Sequence, residues 1–417
     1  MSERQYKLSW ILSFYGTAVG AGTLFLPIEA GLHGLLPLCL MLVLAWPMTY
    51  LSHRALCRLV LSSKAKSSNI TNVVEEDFGH RAGIILTFLY FFAIFPILLM
   101  YSVGMTNTME SFITHQTAFN APPRALLAFV LIAALLGVIR CGQEVILKVM
   151  GYLVYPFVTA LMFLAFYLIP FWNDAMLHTL PKEIVATGPV VSVWLMIPVI
   201  VFSFNFSPII SSFAVSQKQR YSSLRDEKSV RLLKYSSILM FVTVMFFVLS
   251  CVFALSPSNL LEARQENISI LSYLANHMDR PLLAFFGPLI AFIAITKSFL
   301  GHYLGAKEGL IGLYNKVSNK PNNTITSSKT MLLIELFLVL FCWVVATLNP
   351  NILKLIETVS GPAIALVLFL LPMYAMATVP TMRKYRSFWS DAFITVMGLI
   401  AVSAMFYGIF HAIVMKL

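Results

Sequence analysis

Two stretches of this chain combine glycine, hydroxylated residues and proline so that main-chain hydrogen-bonding groups are left free for a ligand. They are Gly16-Thr17-Ala18-Val19-Gly20-Ala21-Gly22-Thr23 and Ser203-Phe204-Asn205-Phe206-Ser207-Pro208, each near the middle of a long apolar segment. A helix interrupted inside lipid survives only where protein or a bound solute satisfies the freed N–H and C=O groups. At the first stretch, three glycines let the backbone unwind and come close to a ligand without Cβ clashes, Gly20 at its centre. The N–H groups that open a second half-helix, at Ala21, Gly22 and Thr23, together with the positive end of its dipole, suit a carboxylate. Carbonyls left near Thr17 and Ala18, and at Ser203 and Phe204, suit an ammonium group. Two such ends match a zwitterion better than a sugar or a simple ion. The competing account of Gly16 and Gly20 is close helix packing, which their four-residue spacing also permits.

At the second stretch, Asn205, Ser207, Ser211 and Ser212 are placed to hydrogen-bond a substrate hydroxyl, and Phe206 offers an apolar wall that limits side-chain size. Pro208 removes one donor and keeps the helix from closing over the gap. Ser211 and Ser212 have an alternative, bonding to their own preceding turn. Tyr101 and Asn107 are further lining candidates, with ordinary packing the alternative for the tyrosine.

Lys297 is the one lysine deep inside an apolar segment, where it costs on the order of 3 kcal/mol on insertion scales. Desolvation disfavours the charged amine, which makes Lys297 a candidate to exchange a proton. Its other reading is a permanently charged lysine tying helices together through carbonyls. His302 follows five residues later, about 140° round an ideal helix, so the two do not share a face. It is a second proton-carrier candidate, with packing or a simple hydrogen bond as its alternative. Glu357, just before Ser360-Gly361-Pro362 and a possible hinge, ranks above Glu335 as a third. Glu29, at the outer end of its segment, reads as a gate or surface residue.

The segments that must hold these residues follow from composition. Of 417 residues, 59% are hydrophobic and 11% charged, with a mean hydropathy of +0.83. Soluble domains carry about 25% charged residues, so this chain belongs in a bilayer. The net charge of +11 does not indicate nucleic acid, because the basic residues lie in short connections between apolar runs. Runs of about 20 residues mark crossings near 9–31, 34–53, 84–113, 123–140, 145–170, 190–213, 233–255, 282–310, 330–348, 352–377 and 391–415. With the N-terminus in the cytoplasm, twenty-two of the 29 Lys and Arg residues fall inside and six outside, Lys297 being the last. That bias predicts an odd number of crossings and a periplasmic C-terminus. Residues 73–79 read as a short surface helix, and 269–274 as a surface helix or a lid. The five scattered cysteines suit buried thiols rather than a disulfide or zinc framework. Asn267-Ile268-Ser269 matches a glycosylation pattern, weak evidence by itself. The same pattern at Asn69 and Asn322 faces the cytoplasm and is set aside.

Both breaks recur with Ile295-Thr296-Lys297-Ser298-Phe299-Leu300-Gly301-His302-Tyr303-Leu304-Gly305 and Ala346-Thr347-Leu348-Asn349-Pro350-Asn351-Ile352-Leu353. In this order the four motifs resemble the bacterial hydroxy/aromatic amino acid permeases, and within them the serine and threonine transporters, from about residue 9 to the C-terminus. The resemblance implies an all-α membrane protein of the amino acid–polyamine–organocation superfamily. It would be a single transmembrane domain over 1–417, with LeuT-type 5+5 inverted repeats at about 9–170 and 190–377 and a peripheral helix at 391–415. It also implies import of a small hydroxy amino acid with protons across the bacterial inner membrane, without a cofactor. In superfamily members with sodium sites, one cation sits between spans 1 and 8, where Lys297 would take its place. Sodium coupling through Thr296 and Ser298, or an aromatic substrate, is the alternative within transport. An enzyme would show clustered His, Asp or Glu at a membrane face, yet the eight histidines are dispersed. A receptor would show a sizeable soluble domain, and a channel would not need paired broken helices.

Overall fold

The structure is a computed structural model that describes residues 2–63, 69–178, 188–221, 225–278, 280–318 and 327–414. Among these residues there is no β-strand, and long apolar helices follow one another with short connections. The chain opens with α1 (Glu3–Ala18) and α2 (Ala21–Leu32), then α3 (Leu35–Ser62) and the short α4 (Ile70–Phe78). The long α5 (His80–Gln116), α6 (Arg124–Arg140) and α7 (Gln143–Tyr167) complete the first half. The second half runs through α8 (Pro189–Ser203), α9 (Ile210–Arg220) and α10 (Arg225–Ala254). Two short helices, α11 (Pro257–Gln265) and α12 (Ile270–His277), precede α13 (Pro281–Val317) and α14 (Ser328–Leu348). The chain ends with the composite helix α15 (Ile352–Thr378) and α16 (Phe388–Val414).

Nine of the described helices, counting α8 and α9 as one segment, are long and apolar enough to cross a membrane, and the bent pair α1–α2 makes a tenth. The remaining expected crossing coincides with α6, which has 17 residues and is about 25 Å long. The chain is a multi-pass membrane protein. Helix ends follow local chemistry: Ser2 forms a capping box with Gln5, Ser327 caps α14, and Pro189 and Pro281 start α8 and α13 where a missing N–H costs nothing.

Three expectations change here. The second segment runs to Ser62 rather than 53, because Ser52 and His53, polar residues that mark a span end in sequence, are buried against protein. Cys39 and Cys141 are exposed, while Cys57, Cys251 and Cys342 are buried, and all five are free. Asn267 is no glycosylation acceptor in this conformation. It is buried, its Nδ2 donates to Asn349 Oδ1 at 2.9 Å and to the Pro350 carbonyl at 3.0 Å, and its Oδ1 accepts from Ile352 N–H at 2.9 Å. Asn322 lies outside the described residues, as do Lys64, Lys66, Lys182, Lys320 and Lys416 of the charge count. The short helix expected at 73–79 is α4. The segment 269–274 forms α12 and is buried against the helix bundle.

Candidate functional site

The break between α1 and α2 bends the first segment by 53°. Val19 (φ −86°, ψ 91°) and Gly20 (φ −142°, ψ −140°) leave helical geometry there. The first donor that α2 uses for itself is Leu24 N–H, to Gly20 O at 3.2 Å. The N–H groups of Ala21, Gly22 and Thr23 therefore open the half-helix without a helical acceptor. On the other side of the break, Lys297 Nζ donates to the Gly16 carbonyl at 3.0 Å and to the Val19 carbonyl. It lies 4.4 Å from the centre of the Phe157 ring. Fully buried, it meets the negative end of the α1 dipole. Among the described residues no carboxylate lies within ion-pair distance of it.

The three glycines have a steric reason as well. A Cβ on Gly20 would sit 2.0 Å from Ser298 Oγ, one on Gly22 2.6 Å from the Phe202 ring, and one on Gly16 2.6 Å from Val154. Unwinding and close packing are thus not rival accounts of Gly20. At the break α13 packs directly on the first segment through Ser298.

At the second break three helical bonds are lost for nameable reasons. The carbonyl of Phe204 would receive the N–H of residue 208, which is proline. The donor due to Ser203 O is Ser207 N–H, which bonds Asn205 Oδ1 at 3.0 Å instead. Phe206 N–H, due to Phe202 O, goes to His53 Nε2 at 3.1 Å. Buried backbone groups demand partners, so the carbonyls of Ser203 and Phe204 are left to something other than their own helix. The two breaks touch: Ser203 Oγ donates to Gly22 O at 3.4 Å. Thr23 Oγ1 and Asn205 Nδ2, both buried, make no hydrogen bond within the protein. They are polar groups in wait of a partner at the junction.

Aromatic rings close the site toward α9. Phe14 packs on Phe206 and Phe213 with centroids 5.0 and 4.8 Å apart, and Trp10 on Phe213 at 5.1 Å. Tyr6 Oη bonds Ser216 Oγ at 2.7 Å. At the other end Glu29, fully buried rather than a surface residue, lies in ion-pair range of His33 at 3.4 Å and Arg264 at 3.9 Å. Arg264 reaches Glu357 at 3.6 Å. The junction thus has aromatic contacts on its α9 side and ion pairs on the other.

Several expected residues assemble and others do not. Thr17, Ala18, Gly20, Gly22, Thr23, Ser203, Phe204, Asn205, Phe206 and Ser207 meet at the two breaks, all buried, with Ala21 in the first turn of α2. Tyr101 faces Gly20 and Ser298, its hydroxyl 3.5 Å from where a Gly20 Cβ would lie. Ser211 is engaged elsewhere, accepting the Ile70 N–H of α4 at 3.1 Å. Asn107 belongs to a separate network: its Nδ2 donates to Asn267 O at 2.6 Å and its Oδ1 accepts from Arg124. His302 bonds Ser298 O at 2.9 Å and packs edge-on against Tyr101. Glu335 pairs with Lys307 at 2.8 Å. The three proton candidates do not form one cluster, since Lys297 is at the break, His302 on Tyr101 and Glu357 in the ion pairs of Arg264. Thr296 and Ser298 point about 160° apart on their helix, with Thr296 toward Met105 Sδ, so they do not converge on one ion. At 356–360 and 366–370 α15 contains wide turns, of the kind that mark functional sites. Gly361 in between packs so closely on α8 that a Cβ would lie 2.4 Å from Pro198 O.

Removing the Asn205 side chain tests the junction directly. Asn205→Ala frees Ser207 N–H and deletes the waiting Nδ2. One lost ligand hydrogen bond is worth about 1–1.5 kcal/mol, so KM for the transported solute should rise about tenfold with membrane abundance unchanged. Uptake kinetics in whole cells check it, and an unaltered KM removes Asn205 from the site.

Comparison with known proteins bears on the chain as a whole. Residues 8–414 match the model of the tryptophan/tyrosine permease family. The protein named "Serine transporter SdaC" of Escherichia coli (strain K12) is 52% identical over 410 residues, covering 98% of this chain and 96% of that protein. The protein of the same name from Shigella flexneri is likewise 52% identical over the same share of both chains. Among solved structures, a mutant of the Eremococcus coleocola manganese transporter superposes with a TM-score of 0.65. It covers 97% of this chain and 86% of its own at 14% identity, a likeness of fold alone.

Proposed function

This chain belongs to the tryptophan/tyrosine permease family, and from that premise we propose that it is a secondary active importer of L-serine, with L-threonine the nearest competitor, driven by protons. Its relatives carry the names of transporters rather than enzymes, and this chain is a transporter and not an enzyme. The observation that carries the substrate reading is the meeting of two interrupted helices. The first turn of α2 offers N–H groups to a carboxylate, while the open carbonyls of Thr17, Ala18, Ser203 and Phe204 suit an ammonium group. Asn205, Thr23 and Ser207 are the polar groups for a side-chain hydroxyl, and buried Phe206 limits its size. The serine specificity of the relatives' names supports the choice among amino acids.

In this reading the chain is one domain in the bacterial inner membrane, with eleven crossings, N-terminus in the cytoplasm and C-terminus in the periplasm. Repeats at about 9–170 and 190–377 place the two breaks at equivalent depth, and 391–415 is peripheral. The outer ion pairs of Arg264 with Glu29 and Glu357 open to admit serine, and the aromatic contacts of α1 with α9 open to release it. Lys297 carries the coupling proton. As an ammonium it binds the Gly16 and Val19 carbonyls and fixes the end of α1. On the cytoplasmic side it gives the proton to water, the carbonyls lose their donors, and α1 is free to swing. One charge moving inward across ~100 mV releases roughly 2.3 kcal/mol, about fiftyfold accumulation of a neutral zwitterion. Sodium coupling through Thr296 and Ser298 has less support, because the two hydroxyls diverge.

Competition of labelled L-serine uptake by unlabelled amino acids tests the substrate. L-serine should compete best, L-threonine next, and tryptophan and tyrosine not at all. Stronger competition by an aromatic amino acid than by serine contradicts the reading.

A further inference from the structure

His53 of α3 lies at the second break although it belongs to neither broken segment. Its Nε2 accepts the Phe206 N–H at 3.1 Å, and its ring stacks on the Phe206 ring with centroids 3.6 Å apart and planes 14° from parallel. The other nitrogen, Nδ1, lies 2.7 Å from the Thr49 carbonyl one turn back on the same helix. A carbonyl can only accept, so Nδ1 carries the hydrogen and Nε2 the lone pair that Phe206 needs. The ring is 1% exposed, so water does not replace that acceptor.

We propose that His53 is a positioning residue for the amino-acid site, standing in for the lost helical acceptor of Phe206 and so holding 204–206 in its unwound form. The carbonyl that would take this N–H in a continuous helix, Phe202 O, is already occupied by Asn205 N–H at 3.2 Å. Without His53 the Phe206 N–H has no acceptor in place, and the cheapest repair is to rewind the segment toward Phe202. Rewinding turns the Ser203 and Phe204 carbonyls and the Asn205 side chain away from the first break. The same ring also stacks on Phe206, a lesser contribution than the acceptor, so His53 acts on substrate affinity without touching substrate itself. This inference rests on the reading that the second break holds the amino acid.

Two substitutions separate the acceptor from the ring. His53→Phe keeps the stack and removes the lone pair, whereas His53→Gln keeps an acceptor oxygen at nearly the Nε2 position and removes the ring. Initial rates of labelled L-serine uptake give KM and Vmax, and thermal unfolding of the purified variants reports folding. His53→Phe should raise KM at least about tenfold, the effect of one buried hydrogen bond, with its unfolding temperature near that of the wild type. His53→Gln should keep KM within about threefold. Should His53→Phe fail to reach the membrane, His53→Asn takes its place, because its shorter amide stops short of Phe206, and the same tenfold rise is expected. Wild-type KM in His53→Phe, or equal losses in His53→Phe and His53→Gln, overturns the assignment of His53 while serine uptake by the wild type stands. A wild-type protein that takes up no serine overturns the functional reading, and this inference with it.

Discussion

Lys297→Ala abolishes concentrative serine uptake while exchange of labelled for unlabelled serine across the membrane continues. The expectation follows from where the amine is. Among the described residues no carboxylate lies in ion-pair range of it, and its partners are the Gly16 and Val19 carbonyls at the end of α1 and the face of Phe157. A charge there is stabilised by carbonyls and by the helix dipole, and nothing in that arrangement requires it to be permanent. If the amine takes the proton from outside and loses it inside, deleting it uncouples the cycle from the proton gradient. The accumulation ratio falls from about fifty to about one, and counterflow remains because the substrate groups at Thr23, Ser203 and Asn205 are intact. Lys297→Arg should fail as well, since a guanidinium does not release its proton. If Lys297 merely ties helices together, arginine would support accumulation and alanine would lose exchange along with it. Measuring both activities on both variants distinguishes the two.

The second large effect is expected from one methyl group. In Gly20→Ala the new Cβ overlaps Ser298, whose Oγ is 2.0 Å and Cβ 2.6 Å away. The neighbouring atoms belong to a fully buried residue of α13, so relief requires moving the break away from that helix. Overpacking of this kind costs about 1–3 kcal/mol, and here it displaces both the opening turn of α2 and the carbonyls that hold Lys297. Uptake should drop by about tenfold to a hundredfold. Ser298→Gly removes both offending atoms, and the double variant Gly20→Ala/Ser298→Gly should recover a substantial part of the loss. A Gly20→Ala protein with normal uptake, or no recovery in the double variant, means the break does not depend on this contact.

The helices were legible because apolar runs of membrane length carry a strong signal, and their ends mostly fall within a few residues of the expected limits. The breaks were legible because glycine and proline act on the backbone itself: Pro208 removes a specific donor wherever the rest of the chain goes. Ala21, Gly22 and Thr23 could be read for the same reason, as the residues following an interruption. What could not be read is what tertiary contact decides. Ser211 looks like a site hydroxyl in sequence but is drawn off by the Ile70 N–H of the short helix α4. Asn107 is taken up by Arg124 and Asn267, residues distant in sequence. Glu29 reads as a gate or surface residue at a helix end, and only the arrival of Arg264 from α11 makes a buried ion pair of it.

His53 is the instructive omission. Thr49, Ser52, His53 and Arg54 interrupt an apolar run and read as its end, so nothing in the run singles out the histidine as part of the site. The helix in fact continues to Ser62. A polar residue can lie inside a membrane helix if it faces protein, and the freed N–H of another broken helix is such a partner. The signal was a histidine one turn after a threonine, spaced so that its Nδ1 can bond back to the helix. That leaves the far nitrogen free to accept.

The most direct trial of the whole account uses the purified protein in sealed lipid vesicles, alkaline inside and acidic outside, with sodium absent throughout. Labelled L-serine should accumulate above its external concentration and leak back out when a protonophore is added. Vesicles that concentrate serine only under an inward sodium gradient, or that do not concentrate it under either gradient, would contradict the account.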